Sequence, residues 1–148
     1  MTIDKGWHKK VREEIYNHFK PNAFTSHSKI SELELFRGGT HRQNCLSDAD
    51  IIVIDSKTKK IKEIIEIETQ PNPKKIMGIV IATHLCNLCR INEDCYQPLE
   101  RIHLKIVYQK AKEKSKKGMK LDIIKEPLDG IIKNTNGCIS DFTFEEHD

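Results

Sequence analysis

The chain has few aromatic residues, no long apolar run and only a small excess of charge of one sign. Phe, Trp and Tyr make up 6% of its 148 residues. No apolar segment approaches the roughly 20 residues that a membrane-spanning helix requires, so we expect no membrane span. Residues 1–10 are polar and lack the apolar core of an export signal, which predicts a cytoplasmic protein. A net charge of +3 is too small to identify a polyanionic partner by itself.

The composition predicts one folded domain that spans residues 1–148. Hydrophobic residues make up 37% and charged residues 32% of the chain, and the apolar residues are concentrated in periodic runs. The length suits a single core, and neither an internal repeat nor a linker is visible. The five cysteines are expected to be thiols or metal ligands, because disulfide frameworks are uncommon in the cytoplasm.

Apolar periodicity predicts the order of the elements. Trp7, Val11, Ile15 and Phe19 recur every four residues, which is typical of an amphipathic helix, and Pro21 ends it. Segments in which apolar and polar residues alternate, or in which β-branched residues dominate, are predicted to be strands. The remaining segments are predicted to be helices or an irregular tail. The predicted segments are strands over 30–36, 48–55, 61–68, 101–108 and 128–133, helices over 74–90 and 109–117, and a frayed acidic tail.

The segments 48–55 and 61–68 are separated by a short Lys-rich stretch and are therefore predicted to form a hairpin. The overall order is then helix, strand, strand, strand, helix, strand. A helix between the third and fourth strands implies a crossover and a parallel pair. The expected fold class is α/β, a single domain with a central mixed β-sheet flanked by helices.

Three acids lie at informative places in this hairpin. Because side chains alternate along a strand, Asp50 shares a face with Ile52, and both Glu66 and Glu68 share a face with Ile64. Carboxylates among isoleucines are costly unless they are paired or bound to a cation. A cluster of hard oxygen ligands is suited to Mg²⁺ or Mn²⁺. The chemistry that most often uses such a site is phosphodiester hydrolysis.

The order of elements, together with these acids, resembles the PD-(D/E)xK nuclease superfamily, which includes restriction endonucleases and archaeal Holliday-junction resolvases. The resemblance covers roughly the first two-thirds of the chain. Ala49-Asp50 matches the first half of the motif, with alanine in place of the usual proline. Glu66-Ile67-Glu68 matches the second half, with Glu68 where the family has a lysine. It is therefore a variant with E-x-E in place of E-x-K.

The resemblance implies an αβββαβ restriction-endonuclease-like core and a metal-dependent endonuclease that acts on DNA. Asp50 and Glu66 would bind Mg²⁺ or Mn²⁺, and Glu68 would bind a second metal or act as the general base. Glu14 of the first helix would support the metal, and Gln70 would contact a metal-bound water. The cation that replaces the missing lysine would be one of Lys62, Lys74 and Lys75.

Basic residues near the acids are the candidates for contact with DNA. A Gly-Gly segment flanked by Arg37 and Arg42 precedes the hairpin, and its small residues would let a phosphate approach closely. Lys74 and Lys75 open the next helix. Because a chain of this size offers little surface for both catalysis and recognition, we expect a homodimer.

Other interpretations of the same residues are open. The alternation of glutamate and isoleucine needs no metal if one face of the sheet is exposed to solvent. A non-catalytic nucleic-acid-binding or assembly module of the same fold would account for the missing lysine. Cys86, Cys89 and Cys95 have the spacing of part of a zinc or iron–sulfur site, or of a disulfide, although buried thiols within a helix explain Cys86 and Cys89 equally.

Overall fold

Residues 5–25, 33–92, 95–110 and 121–148 are described by the computed structural model, and they form three helices and nine strands. The helices are α1 (Lys5–Phe19), α2 (Pro73–Leu85) and α3 (Asp122–Asn134). The strands are β1 (Ala23–Thr25), β2 (Leu33–Phe36), β3 (Cys45–Ala49), β4 (Ile51–Ile54), β5 (Ile61–Glu68), β6 (Leu88–Asn92), β7 (Cys95–Pro98), β8 (Ile102–Gln109) and β9 (Ile139–His147). None of the helices in these described ranges is long and apolar enough to cross a membrane.

The larger sheet has the strand order β1-β4-β5-β8-β9. β1, β4 and β5 pair in antiparallel fashion, whereas β5, β8 and β9 are parallel. The change of direction follows from the connections, since α2 lies between β5 and β8 and α3 lies between β8 and β9. The sheet is therefore mixed and the domain is α/β, as predicted from the sequence.

Helices cover both faces of this sheet, which explains why its central strands are apolar on both sides. Ile52 and Ile64 belong to the core that also contains buried residues of α2 and α3. Ile51 and Ile65 face the opposite way and belong to a second core with Trp7 of α1. The hairpin and the first helix, which were predicted from their apolar periodicity, are thus confirmed.

A smaller sheet of four strands has the order β3-β2-β6-β7. β3 and β4 are consecutive in the chain, but β3 pairs with β2 in the smaller sheet and β4 pairs with β5 in the larger one. Asp50 is the residue between them. The predicted strand 48–55 is therefore two strands that diverge at Asp50, and we call this point the fork.

The predicted helix over 74–90 is wrong beyond Leu85. The side chain of Asn72 accepts a hydrogen bond from the Lys75 backbone amide and caps the start of α2. After Leu85 the chain turns into β6, in which Cys89 and Ile91 are buried and alternate with more exposed neighbours. That two-residue period is typical of a strand, and it decides the structure of this segment.

The C-terminal predictions are wrong for a similar reason. The predicted strand 128–133 lies within α3, where Ile124, Leu128 and Ile132 recur every four residues on the buried side. The predicted frayed tail is β9, which pairs with β8 along its length and buries Phe142. The predicted helix over 109–117 falls mainly on residues 111–120, which lie outside the described residues.

The first strand of the larger sheet was not predicted. It is β1, three residues long, and it follows α1 directly. The strand expected over 30–36 is confirmed as β2 for Leu33–Phe36, while residues 30–32 lie outside the described part of the chain. β2 belongs to the smaller sheet. The first four strands of the larger sheet and the two helices that accompany them therefore follow one another in the chain as α1, β1, β4, β5, α2 and β8.

Candidate active site

Asp50 is fixed at the fork by two contacts. Its Oδ2 accepts a hydrogen bond of 2.8 Å from the backbone amide of Ile67 in β5, and its Oδ1 lies 3.2 Å from Nε2 of His8 in α1. If β4 began earlier in the chain, its backbone would pair with the Ile67 amide of β5. The chain leaves the larger sheet at Asp50, however, and the carboxylate of Asp50 accepts the hydrogen bond of that amide in place of a backbone carbonyl. The side chain of Asp50 is only 19% exposed. The divergence of the strands therefore places a shielded carboxylate against β5.

Glu66 and Glu68 lie at the carboxyl end of β5, and each is only 8% exposed. They share the face of Ile64 because side chains alternate along the strand, so they are directed to the side of α2. Nζ of Lys75, in the first turn of α2, is 2.7 Å from Oε1 of Glu68. Burying a carboxylate is costly unless a cation or hydrogen-bond donors compensate it. Lys75 supplies part of that compensation for Glu68.

His8 is the residue of this site that the sequence analysis missed. A hydrogen bond to Asp50 raises the pKa of His8, the charges of Asp50 and Glu68 act in the same direction, and burial and the charge of Arg12 oppose them. A partial signal was present, since His8 follows Trp7 at the edge of the predicted helical stripe. Its partner lies far away in the sequence, and only the packing of α1 on the sheet brings the two together.

The structure thus gathers Asp50, Glu68 and Lys75 with His8 at one end of β5, and Glu66 lies on the same strand within this region. Among the described residues, no three His, Cys, Asp or Glu side chains are grouped closely enough to hold a metal ion. In the arrangement described, the Oδ1 of Asp50 and the Oε1 of Glu68 each face a basic nitrogen of the chain itself.

Two other predicted residues lie elsewhere. Glu14 is on the exposed side of α1, with its Oε2 3.6 Å from Nε2 of His147 in β9, and about 9 Å along the helix axis from His8. Lys62 is exposed near the start of β5. Its charge contributes to the lowered pKa of Asp55, which is due mainly to hydrogen bonds from the backbone amides of Thr58 and Lys57.

The residues predicted to contact DNA lie in the segment between β2 and β3 and in the first turn of α2. Nη1 of Arg37 donates a hydrogen bond of 3.0 Å to the carbonyl oxygen of Leu85 at the end of α2. Arg42 is exposed in the 3-10 turn (Arg42–Asn44) before β3. Lys74 is exposed in the first turn of α2, and Gln70, which was predicted to contact a metal-bound water, is exposed between β5 and α2. Only Lys75 among the predicted basic residues contacts an acid of the site in the described structure.

The three cysteines predicted as a metal or disulfide site are separated by the fold, and all five cysteines of the chain are free thiols. Cys86 caps α2, Cys89 is buried in β6, and Cys95 is exposed in β7. Burial raises the pKa of Cys86 to about 11 and that of Cys89 to about 12, so both thiols are protonated at neutral pH. The predicted helical setting of this pair is wrong, whereas the interpretation as buried thiols fits their surroundings.

The fold and the site define an α/β domain with shielded carboxylates where the central strand β5 ends. No protein-family model, no curated protein and no solved structure gives a significant match to this chain.

Proposed function

We propose that this protein is a divalent-metal-dependent endonuclease that hydrolyses phosphodiester bonds of DNA. The observation that carries the proposal is the burial of Glu66 and Glu68 next to the fork that holds Asp50. Acids are rarely buried unless they are paired, and buried titratable groups with a specific charge partner are candidates for functional sites.

The order of elements gives independent support. The larger sheet follows the sequence α1, β1, β4, β5, α2, β8, which is the αβββαβ order implied by the resemblance to PD-(D/E)xK nucleases. Asp50 directly precedes β4, and Glu66 and Glu68 lie on β5, with Glu68 at the place where the motif has a lysine.

The acids supply the donor type that a hard divalent cation prefers, and the described side chains would have to come closer together than in this arrangement to hold one. Carboxylate oxygens are the ligands that Mg²⁺ and Mn²⁺ prefer, and His8 and Lys75 already place positive charge beside Asp50 and Glu68. Asp50 and Glu66 would hold the ion, which would replace the contact between Asp50 and His8. When bound, the ion lowers the pKa of a water and withdraws charge from the scissile phosphate.

The chain's own residues supply the remaining steps. Glu68 accepts a proton from the attacking water as the water oxygen bonds to phosphorus. The bond from phosphorus to the sugar oxygen breaks with its electron pair passing to that oxygen, which takes a proton from solvent water. Lys75, which contacts Glu68, takes the role of the missing motif lysine and stabilises the negative charge that develops on the phosphate. Arg37, Arg42 and Lys74 position the backbone of the DNA.

A specific observation favours a second candidate, a non-catalytic nucleic-acid-binding module of the same fold. Asp50 and Glu68 each have a basic partner within the chain, so those two acids are compensated without a metal. If their burial serves only the fold, the protein binds DNA without cutting it.

Cleavage assays with matched variants test the proposal. The purified protein is incubated with linear, supercoiled and four-way-junction DNA in Mg²⁺ or Mn²⁺, with EDTA as the control. Glu66→Gln and Glu68→Gln should abolish cutting, whereas Glu100→Gln, which removes an exposed acid, should not. If the protein cuts none of these DNAs and binds DNA independently of the metal, the nuclease proposal is wrong and the non-catalytic binding module is supported.

Metal binding can be measured without cleavage, because the single tryptophan, Trp7, is the neighbour of His8 in α1. Displacement of His8 from Asp50 should change the fluorescence of Trp7 as Mn²⁺ is added. Asp50→Asn should remove this change and Glu100→Gln should preserve it. The predicted homodimer is tested in the same samples by sedimentation velocity.

A further inference from the structure

A cavity on the smaller sheet is lined by none of the acids of the proposed active site. It is an open cavity of about 740 Å³, within the range of small-ligand sites in proteins. β2, β3, β6 and the loop before β3 line it. The lining residues on which the argument depends are Glu34, Phe36, Arg42, Leu46, Asp48 and Arg90.

The cavity combines an apolar surface with polar groups of both signs. Leu46 is 42% exposed, whereas Phe36 is buried and packs edge-on against Tyr96, with ring centroids 6.0 Å apart. Arg42 adds an exposed planar guanidinium, and Arg90 forms an ion pair with Glu34 across the sheet. Apolar surface bordered by a few convergent polar groups is typical of sites for planar, hydrogen-bonding ligands.

The cavity is adjacent to the fork. Asp48 lines it, and Asp50 is the second residue after Asp48 in the same chain direction. Two residues of extended strand span only about 6.6 Å. A nucleic acid with a phosphate at the acids of β5 would therefore have a neighbouring nucleotide within reach of the cavity.

We propose that this cavity binds an unstacked nucleobase of the DNA, so that the substrate carries unpaired nucleotides beside the cleaved phosphate. This inference rests on the proposed function and adds the class of its substrate. Bases outside a duplex stack on arginine planes and apolar side chains and are recognised through their pairing edges. Leu46 supplies an apolar surface for stacking, and the plane of the Arg42 guanidinium can stack on the same base while its N–H groups contact the DNA backbone.

The acids of the cavity add selectivity. A carboxylate has about four acceptor sites, so Glu34 and Asp48 can accept from a ligand while they keep other contacts. Adenine, cytosine and guanine present exocyclic amino donors, whereas thymine has none. An unpaired adenine or cytosine should therefore bind more tightly than an unpaired thymine.

Binding in EDTA tests the inference without any cleavage. The probes are fluorescein-labelled duplexes that are continuous, carry a single bulged adenine or carry a single bulged thymine, and the readout is fluorescence anisotropy. We expect about tenfold tighter binding of the adenine bulge than of the continuous duplex, in line with the energy of stacking one base. Arg42→Gln and Leu46→Ser should each reduce this preference to below about threefold.

Matched controls separate the cavity from the rest of the surface. Arg101→Gln removes an exposed arginine and Ile123→Ser an exposed apolar side chain outside the cavity, and both should retain the preference. Glu66→Gln should retain it as well while losing cleavage, which distinguishes a failure of the cavity from a failure of the active site. Equal affinity for bulged and continuous DNA, or no binding of either, would overturn the inference even if the protein cuts DNA.

Discussion

Two histidine–aspartate pairs of similar length lie in different surroundings. His8 and Asp50 are 3.2 Å apart at the fork, and His103 and Asp141 are 3.0 Å apart on the neighbouring strands β8 and β9. Asp50 is 19% exposed and also accepts the amide of Ile67, whereas Asp141 is 66% exposed. The two histidines are similarly exposed, whereas the aspartate is shielded at the fork and largely hydrated in the other pair.

The difference shows what the fork contributes. An ion pair in water is screened and contributes little, whereas a shielded pair interacts strongly but must compensate the loss of hydration. A second acid is present in both cases, because the charge of Glu68 acts on His8 and Oε2 of Glu63 lies 3.9 Å from His103. Residue type alone therefore does not distinguish the candidate active site from the pair on β8 and β9. The two places differ in how far the diverging strands shield the aspartate from water.

The largest expected difference between the two pairs is in DNA cleavage. Asp50→Asn should lower the rate at least about 100-fold, because it removes a charged group from the reacting centre. Asp141→Asn should leave the rate within about twofold. Single-turnover cleavage in Mg²⁺ measures both, with melting curves to verify folding. A similar loss in both variants would place the reaction away from the fork.

Stability should separate the pairs next. Asp50→Ala removes the acceptor of the Ile67 amide and should lower the free energy of unfolding by about 2 kcal/mol. Asp141→Ala breaks a well-exposed pair and should cost less than about 0.5 kcal/mol. Urea unfolding of the three proteins gives these values. If the two losses were equal, the strand divergence would contribute nothing to the role of Asp50.

The stabilisation that each pair contributes should also depend on pH, and the two pairs should lose it in different pH ranges. The pKa of His8 is raised from 6.5, mainly by its hydrogen bond to Asp50, so its stabilisation is complete below pH 6.5 and is lost as the pH rises through the folded pKa. The pKa of Asp141 is lowered from 3.8, mainly by its hydrogen bond to His103, so its stabilisation is present above pH 3.8 and is lost as the pH falls through the folded pKa.

NMR titration of His8 and of Asp141 checks these directions. Asp50→Asn should return the pKa of His8 towards 6.5. A pKa of His8 at or below 6.5 in the unmodified protein would mean that the pair at the fork is not formed in solution.

Local pattern explains what could be predicted from the sequence. The stripe of α1, the hairpin and the alternation of β8 depend on neighbours within a few residues, and the structure has all of them. The acids Asp50, Glu66 and Glu68 were selected on the same basis, as charges within apolar strands.

Long-range packing explains what could not. The contact between His8 and Asp50 exists because α1 packs on β4 and β5, and the split of the predicted strand at Asp50 depends on β2 as a competing partner. β9 was missed because its acidic residues obscured the alternation that buries Phe142. None of these features has a signal within a short window of sequence.

The smallest expected effect concerns Glu14, which the family resemblance assigns to the metal. In the structure Glu14 is half exposed beside His147, on an exposed pair of the same kind as His103–Asp141. Glu14→Gln should therefore change the free energy of unfolding by less than about 0.5 kcal/mol and leave cleavage within about twofold. Glu13→Gln, an exposed neighbour, is the matched control. A tenfold loss of cleavage in Glu14→Gln alone would show that α1 supplies Glu14 to the metal when DNA is bound, and His8 would then be the residue that leaves the site.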